Sequence, residues 1–277
     1  MPQSHNAVRR KPTPKEWIHQ QILWAEVLED LDREFSRMGI RYMPIKGAYL
    51  ICTGLAAKLA SRTMADIDLL VLPEDFERAC RGLEATGKTR PKKPLWDQTW
   101  EFEREYEYGE GLTACHVEIH KLINYEVRFL LPPKLLFERG VATSSLRVLP
   151  SAEDALLIHI CHTLVHIVYC IKDTSFEETG LISAQAGFSW EEFWRRAKGT
   201  GVMGFCRFYI EWCKKTVGLQ VVLPRGWFPY STVMGRCAKI ETYLRVDASI
   251  RRLLLELPMV RSPLWLLLRR SQASIRG

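Results

Sequence analysis

Asp66-Ile67-Asp68 sets two carboxylates one residue apart inside the apolar run Ala65 to Leu72. That run reads as a buried strand. Side chains along a strand alternate faces, so Asp66 and Asp68 share a face. Carboxylates held against an apolar strand without partners are costly. A divalent cation would offset that cost, and hard oxygen donors of this kind suit Mg²⁺ together with the oxygens of a phosphate substrate. The chemistry implied is phosphoryl transfer.

A third carboxylate stands in His116-Val117-Glu118-Ile119-His120. Period two puts Val117 and Ile119 on one face and His116, Glu118 and His120 on the other. If this strand lies beside the Asp66 strand, Asp66, Asp68 and Glu118 can converge as metal ligands. Two Mg²⁺ ions could then clamp the attacking and leaving oxygens of an in-line displacement. His120 is a candidate for positioning substrate or for proton transfer, and equally for a hydrogen-bonded structural histidine. His116 reads as structural or surface. Lys46-Gly47-Ala48 falls at a strand-to-helix turn, where glycine lets phosphate approach the backbone and Lys46 adds positive charge. Arg62, just upstream of the aspartates, could grip phosphate oxygens in a fork. Each has a plainer reading: a solvated lysine, an arginine paired to the aspartates, a Glu118 exposed on an alternating strand.

The elements that must position these residues follow from patterning. Residues 1–14 carry Pro2, Pro12 and Pro14 among charges and read as a disordered tail. Ile18, Ile22, Leu28, Leu31 and Phe35 recur at helical spacing, predicting a helix over 15–38 stopped by Gly39. Arg41 to Ile45 reads as a strand, and Ala48 to Gly54 as a short helix. Pro73-Glu74-Asp75 opens a helix ending near Gly87, and the basic, proline-containing stretch 88–96 reads as a loop. Trp100 to Tyr108 and Leu112 to His120 flank Gly109-Glu110-Gly111, a hairpin with a three-residue turn. Ser151 with Asp154 three residues on begins a helical regime, with helices over 151–171, 189–198, 203–217, 232–246 and 247–256. The fold class is therefore α+β. A mixed sheet with flanking helices, residues 15–149, is followed by an all-helical domain over 150–277.

Composition narrows the surroundings. A hydrophobic fraction of 47% supports a real core, and a net charge of +7 with a pI near 9.0 favours an anionic partner such as a nucleotide. Eight cysteines are scattered without a CxxC pair, which predicts reduced thiols in a cytoplasmic protein. Met1 to Lys15 lacks the apolar core of a secretory leader, and no run reaches eighteen unbroken apolar residues, so a soluble chain is expected.

Taken together, Lys46-Gly47, then Arg62-Thr63-x-Ala65-Asp66-Ile67-Asp68-Leu69-Leu70-Val71, then a helix, then Val117-Glu118-Ile119-His120, resembles the nucleotidyltransferase superfamily typified by DNA polymerase β. The branch it is most similar to is an uncharacterised bacterial family with a helical C-terminal part, over roughly residues 40–200 and including Glu153 to His159. The resemblance implies transfer of a nucleoside monophosphate from an NTP, with ATP expected, to a hydroxyl acceptor, with release of pyrophosphate. It implies that Asp66, Asp68 and Glu118 are the metal carboxylates, and that Lys46, Gly47 and Arg62 serve the triphosphate. The Gly-Ser dipeptide of better-known members is replaced by Lys46-Gly47, and the third carboxylate is glutamate where aspartate is common. The acceptor stays open between a protein, a small molecule and an RNA 3′ end. A competing reading is a catalytically inactive nucleotide-binding or antitoxin-like interaction protein on the same scaffold.

Other features read more plainly. His159, His162, His166 and Cys170 share a helix face, but ligands from three turns of one straight helix point in parallel rather than converge on zinc. That face is expected to pack on the catalytic half, with one histidine lining the acceptor pocket. Trp190, Phe193, Trp194, Phe205, Phe208, Tyr209 and Trp212 read as core. Arg251 to Arg270 mixes leucines with arginines, a terminal helix with a basic rim or a contact for an anionic partner.

Overall fold

The computed structural model describes residues 13–59, 66–91, 102–109, 115–123, 131–166 and 173–224. Helix α1 (Pro14–Met38) runs directly into the sheet. It stops where the sequence predicts: Gly39 takes φ +62°, a conformation that costs glycine little. Gly39 N–H donates to Ser36 O at 3.2 Å, and Ile40 N–H to Phe35 O at 3.1 Å, which completes a Schellman stop.

The main sheet holds β1 (Tyr42–Ile45), β2 (Asp66–Val71), β3 (Thr89–Pro91), β4 (Glu103–Tyr108) and β5 (Cys115–His120) in the order β1-β2-β5-β4-β3. Only β2 and β5 run parallel; the other pairings are antiparallel. Helix α2 (Lys46–Cys52) follows β1 without a linker, and α3 (Phe76–Ala85) crosses between β2 and β3 after a 3₁₀ turn at Pro73–Asp75. Beyond the sheet come α4 (Pro133–Arg139), a two-stranded ribbon of β6 (Val141–Ala142) and β7 (Val148–Leu149), and then α5 (Ala152–His166), α6 (Asp173–Ser183), α7 (Trp190–Gly199) and α8 (Met203–Val217). The fold is α+β, a five-stranded mixed sheet with flanking helices.

The period of two divides the core. Ile67, Leu69, Val71, Val117, Ile119 and Tyr106 bury one sheet face against α1 and α3. Met43, Ile45 and Leu70 join the opposite face to a second core built with α2, α5, α7 and α8. Asp66, Asp68 and Glu118 belong to that second face, so the carboxylates emerge where the sheet meets the later helices.

Several sequence expectations are corrected. Part of the predicted loop 88–96 is a strand, β3, held by pairing with β4. The β4–β5 register sets Tyr108 opposite Cys115, so the connection spans 109–114 rather than three residues. Helix α5 is described over Ala152–His166, the residues directly after it lying outside the described ones, and α4, α6 and the β6–β7 ribbon have no counterpart among the elements expected from sequence. Phe193, Trp194 and Tyr209 are buried as expected, whereas Trp212 is 41% exposed. The helices predicted over 232–256, the Arg251–Arg270 stretch, the 1–12 part of the N-terminal tail and Arg62 lie outside the described residues.

Candidate active site

The site is built by the parallel pairing of β2 and β5. Its register sets Asp66 opposite His116, Asp68 opposite Glu118 and Leu70 opposite His120. Residues opposite each other on one face approach closely, so carboxylates from two distant segments meet. Antiparallel β1 brings Ile45 opposite Asp68, and the next residue, Lys46, turns over the same spot.

Lys46 is the one non-glycine residue with positive φ among the described residues, at +51°. An L-residue enters this region at a cost. Here it joins the end of β1 to the start of α2 with no intervening residue. The Lys46 ammonium donates to Asp68 Oδ1 at 2.6 Å and stands 4.0 Å from Glu118 Oε2. His120 Nε2 lies 2.9 Å from the same Asp68 Oδ1 and 3.3 Å from Glu118 Oε2. The side chains of Asp68 and His120 are each 1% exposed, while Glu118 is 18% exposed, so the cluster is sealed on its Asp68 side.

Burial opposes every charge here, and the partners decide the outcome. Burial pushes the Asp68 carboxyl up, but Lys46 and His120 overcome it and hold it well below the usual carboxylate range. Burial pushes Lys46 down, and the fields of Asp68, Glu118 and Asp66 raise it above an ordinary lysine. His120 is moved to about 9: burial and the Lys46 charge oppose its proton, while hydrogen bonds to Asp68 and Glu118 hold it. Glu118 is raised, by burial first and then by the nearby Asp68 charge.

Ligand-capable atoms of Asp68, Glu118 and His120 lie within 4.8 Å of one another. Two carboxylates and an imidazole fit a divalent cation, because the acid charge is already balanced by cationic groups that such an ion could replace. Asp66 stands one step along β2 on the same face and is partly buried. Gly47 is buried as the second residue of α2. His116 is partly buried. Of the residues singled out from sequence, Lys46, Asp68, Glu118 and His120 meet directly.

One neighbour escapes sequence reading. Glu103 opens β4 directly opposite His120, and its Oε2 lies 3.2 Å from His120 Nδ1. The signal that could have found it is the alternation Glu103-x-Glu105-x-Glu107, but its use needs the hairpin register. His159, by contrast, serves the later helices. Its Nε2 lies 3.0 Å from Ser175 O, and its Nδ1 3.3 Å from Glu178 Oε2, both on α6. Of the face expected to pack on the catalytic half, His159 itself fills the gap between α6 and Tyr209 of α8. The His166 side chain and Cys170 lie outside the described residues.

The site thus lies on a mixed sheet that carries acidic side chains on neighbouring parallel strands, with helices on both faces. The chain belongs to a family of uncharacterised nucleotidyltransferases, whose sequence pattern matches residues 13–218. No curated protein matches the chain. Among solved structures, the solution structure of the antibiotic-resistance factor ANT(2″)-Ia is 11% identical with a TM-score of 0.42, over 73% of this chain and 98% of that one. Among the described residues no helix is long and apolar enough to cross a membrane.

Proposed function

We propose that this protein transfers a nucleoside monophosphate from an NTP, with ATP the expected donor, to a hydroxyl acceptor, releasing pyrophosphate. The observation that carries the reading is the convergence of Asp68, Glu118 and His120 beneath the Lys46 ammonium. Asp66, Asp68 and Glu118 would hold Mg²⁺, with two ions expected. The bound ions supply charge neutralisation on the triphosphate and acidify the acceptor hydroxyl. Glu118, whose carboxyl burial makes more basic, accepts the acceptor's proton. Lys46, which pairs with Asp68 at 2.6 Å, would meet the triphosphate beside Gly47. Arg62, just before β2 in sequence, grips phosphate oxygens. His120 fixes the orientation of Asp68 and Glu118 through the contacts its Nε2 makes. The rate enhancement rests on positioning and charge stabilisation rather than on a covalent enzyme intermediate. The acceptor is a protein, a small molecule or an RNA 3′ end.

The test is label transfer. Purified protein is incubated with α-labelled NTP, Mg²⁺ and cell extract, alongside Asp66→Ala/Asp68→Ala. Label on an extract component with the native protein, reduced at least about 10³-fold in the double variant, is the expected outcome. Equal labelling in both contradicts it.

A second reading has one observation in its favour. The Lys46 ammonium already neutralises Asp68 at 2.6 Å, so the cluster is electrically supported without a metal ion. This is what a nucleotide-binding or antitoxin-like interaction protein that has lost turnover would keep. Calorimetry with Mg²⁺-ATP separates the two: binding without label transfer to any extract component favours this reading over catalysis.

A further inference from the structure

His120 Nδ1 is a buried nitrogen with no hydrogen-bond partner among the described residues, and buried polar groups of that kind are rare enough to need a reason. The acidic oxygen nearest in direction is Glu103 Oε2 at 3.2 Å, within ion-pair distance but off the line of the Nδ1–H bond. The β4–β5 register fixes this pairing: Glu103 and His120 are directly opposed on the face that carries Asp68 and Glu118. Glu103 is 29% exposed, so its carboxylate has room to turn, whereas the ring at 1% exposure does not. On the other side of the ring, Nε2 faces the two oxygens that would bind the cation, at 2.9 and 3.3 Å.

We propose that Glu103 is a positioning residue for the metal centre: it accepts a hydrogen bond from His120 Nδ1–H, so that Nε2, on giving its proton to solvent, would serve as a nitrogen ligand beside Asp68 and Glu118. This rests on the metal-dependent reading of the site, and extends it to a mixed nitrogen–oxygen donor set ordered by a carboxylate on the neighbouring strand. A carboxylate bonded to the outer nitrogen of a ligating histidine fixes the ring's tautomer and orientation. Loss of such a partner typically costs about 10–100-fold in metal affinity. Mn²⁺ accepts the same carboxylate and water ligands as Mg²⁺ and is paramagnetic, which provides a spectroscopic handle on any nitrogen bound to it.

The probe is Mn²⁺ with inorganic triphosphate, which contains no nitrogen. Free Mn²⁺ is titrated by electron paramagnetic resonance, and ¹⁴N coupling is read from the electron spin echo of the bound ion. The expected result is a ¹⁴N signal in the native protein that disappears in His120→Gln. Glu103→Ala should weaken Mn²⁺ binding by about 10–100-fold. Glu103→Gln, which keeps an acceptor oxygen, should recover much of that loss. Metal-free Glu103→Ala should melt close to the native protein, because Glu103 is not part of either core. Bound Mn²⁺ with no ¹⁴N coupling, or unchanged affinity in Glu103→Ala, overturns the role of Glu103 and His120 while the metal-dependent reading stands on Asp66, Asp68 and Glu118. No Mn²⁺ binding by the native protein overturns both. The native measurement depends on no variant folding.

Discussion

Two buried ionic clusters among the described residues invite comparison, because they are built from different cations. At the start of α5, Asp154 is 0% exposed and meets Arg139 at Oδ1, 2.8 Å, and Arg196 at Oδ2, 2.7 Å. Arg196 also donates to Glu192 at 2.6 Å, and Asp154 N–H donates to Ser151 Oγ at 3.4 Å, so the cluster ties the start of α5 to α7. In the sheet, Asp68 is equally buried, but Lys46 and His120 both meet it at Oδ1. Arginines keep their charge and grip carboxylates through a rigid fork, and here they occupy both oxygens of Asp154. A lysine on a flexible stem and a histidine can leave or change state. Burial of charge therefore does not mark a site by itself. The exchangeability of the counter-charge does, and it separates a structural clamp from a cluster able to admit a cation.

The contrast is broken most easily by removing the two aspartates in turn. Asp154→Ala takes the carboxylate from Arg139, 27% exposed, and one of two close carboxylates from Arg196, which keeps Glu192, and the expected loss is about 1–3 kcal/mol of stability. Asp68→Ala should cost clearly less, because Glu118 stands 4.0 Å from Lys46 and 3.3 Å from His120 and can take over both. Chemical denaturation of both variants without metal checks this. An Asp68→Ala loss as large as that of Asp154→Ala would mean that the sheet cluster is a structural clamp too.

A smaller effect sharpens the same contrast through pH. Hydrogen bonds from Arg195 and Arg196 hold the Glu192 carboxyl down at about 2, below its ordinary 4.5. A depressed pKa means stabilisation present above the unfolded value and lost as pH falls through the folded one. The arginine clamp should therefore loosen between about pH 4.5 and about pH 2. The native protein should lose melting temperature over that window more steeply than Glu192→Gln, by a modest margin because the pair is partly solvated. Parallel slopes for the two proteins would contradict a contribution from this pair.

Much of the site was legible because it is local. The alternation around Asp66 and Asp68, and again around Glu118 and His120, assigns faces without tertiary information. Gly39 announced the end of α1, and Ser151 the start of α5. What stayed hidden depends on pairing. Glu103 reads as one more solvent-facing glutamate until the β4–β5 register puts it opposite His120. β3 is three residues containing a proline and an arginine, and exists through its pairing with β4. Helix α6 eluded the periodicity because it buries Glu178 and Thr179, polar residues whose partners, His159 and Tyr209, come from other helices. Lys46 was read as a phosphate ligand, but its ion pair with Asp68 appears only once β1 lies beside β2.

On the proposed function, Asp68 and Glu118, and not Asp154, hold a divalent cation. Crystals grown with Mn²⁺ and a non-hydrolysable NTP test it directly through anomalous scattering. The expected result is a strong anomalous peak between the Asp68 and Glu118 carboxylates, with the Lys46 ammonium displaced from Asp68 Oδ1. Nucleotide bound in crystals whose Lys46–Asp68 ion pair is intact, with no anomalous peak at these carboxylates, would contradict it.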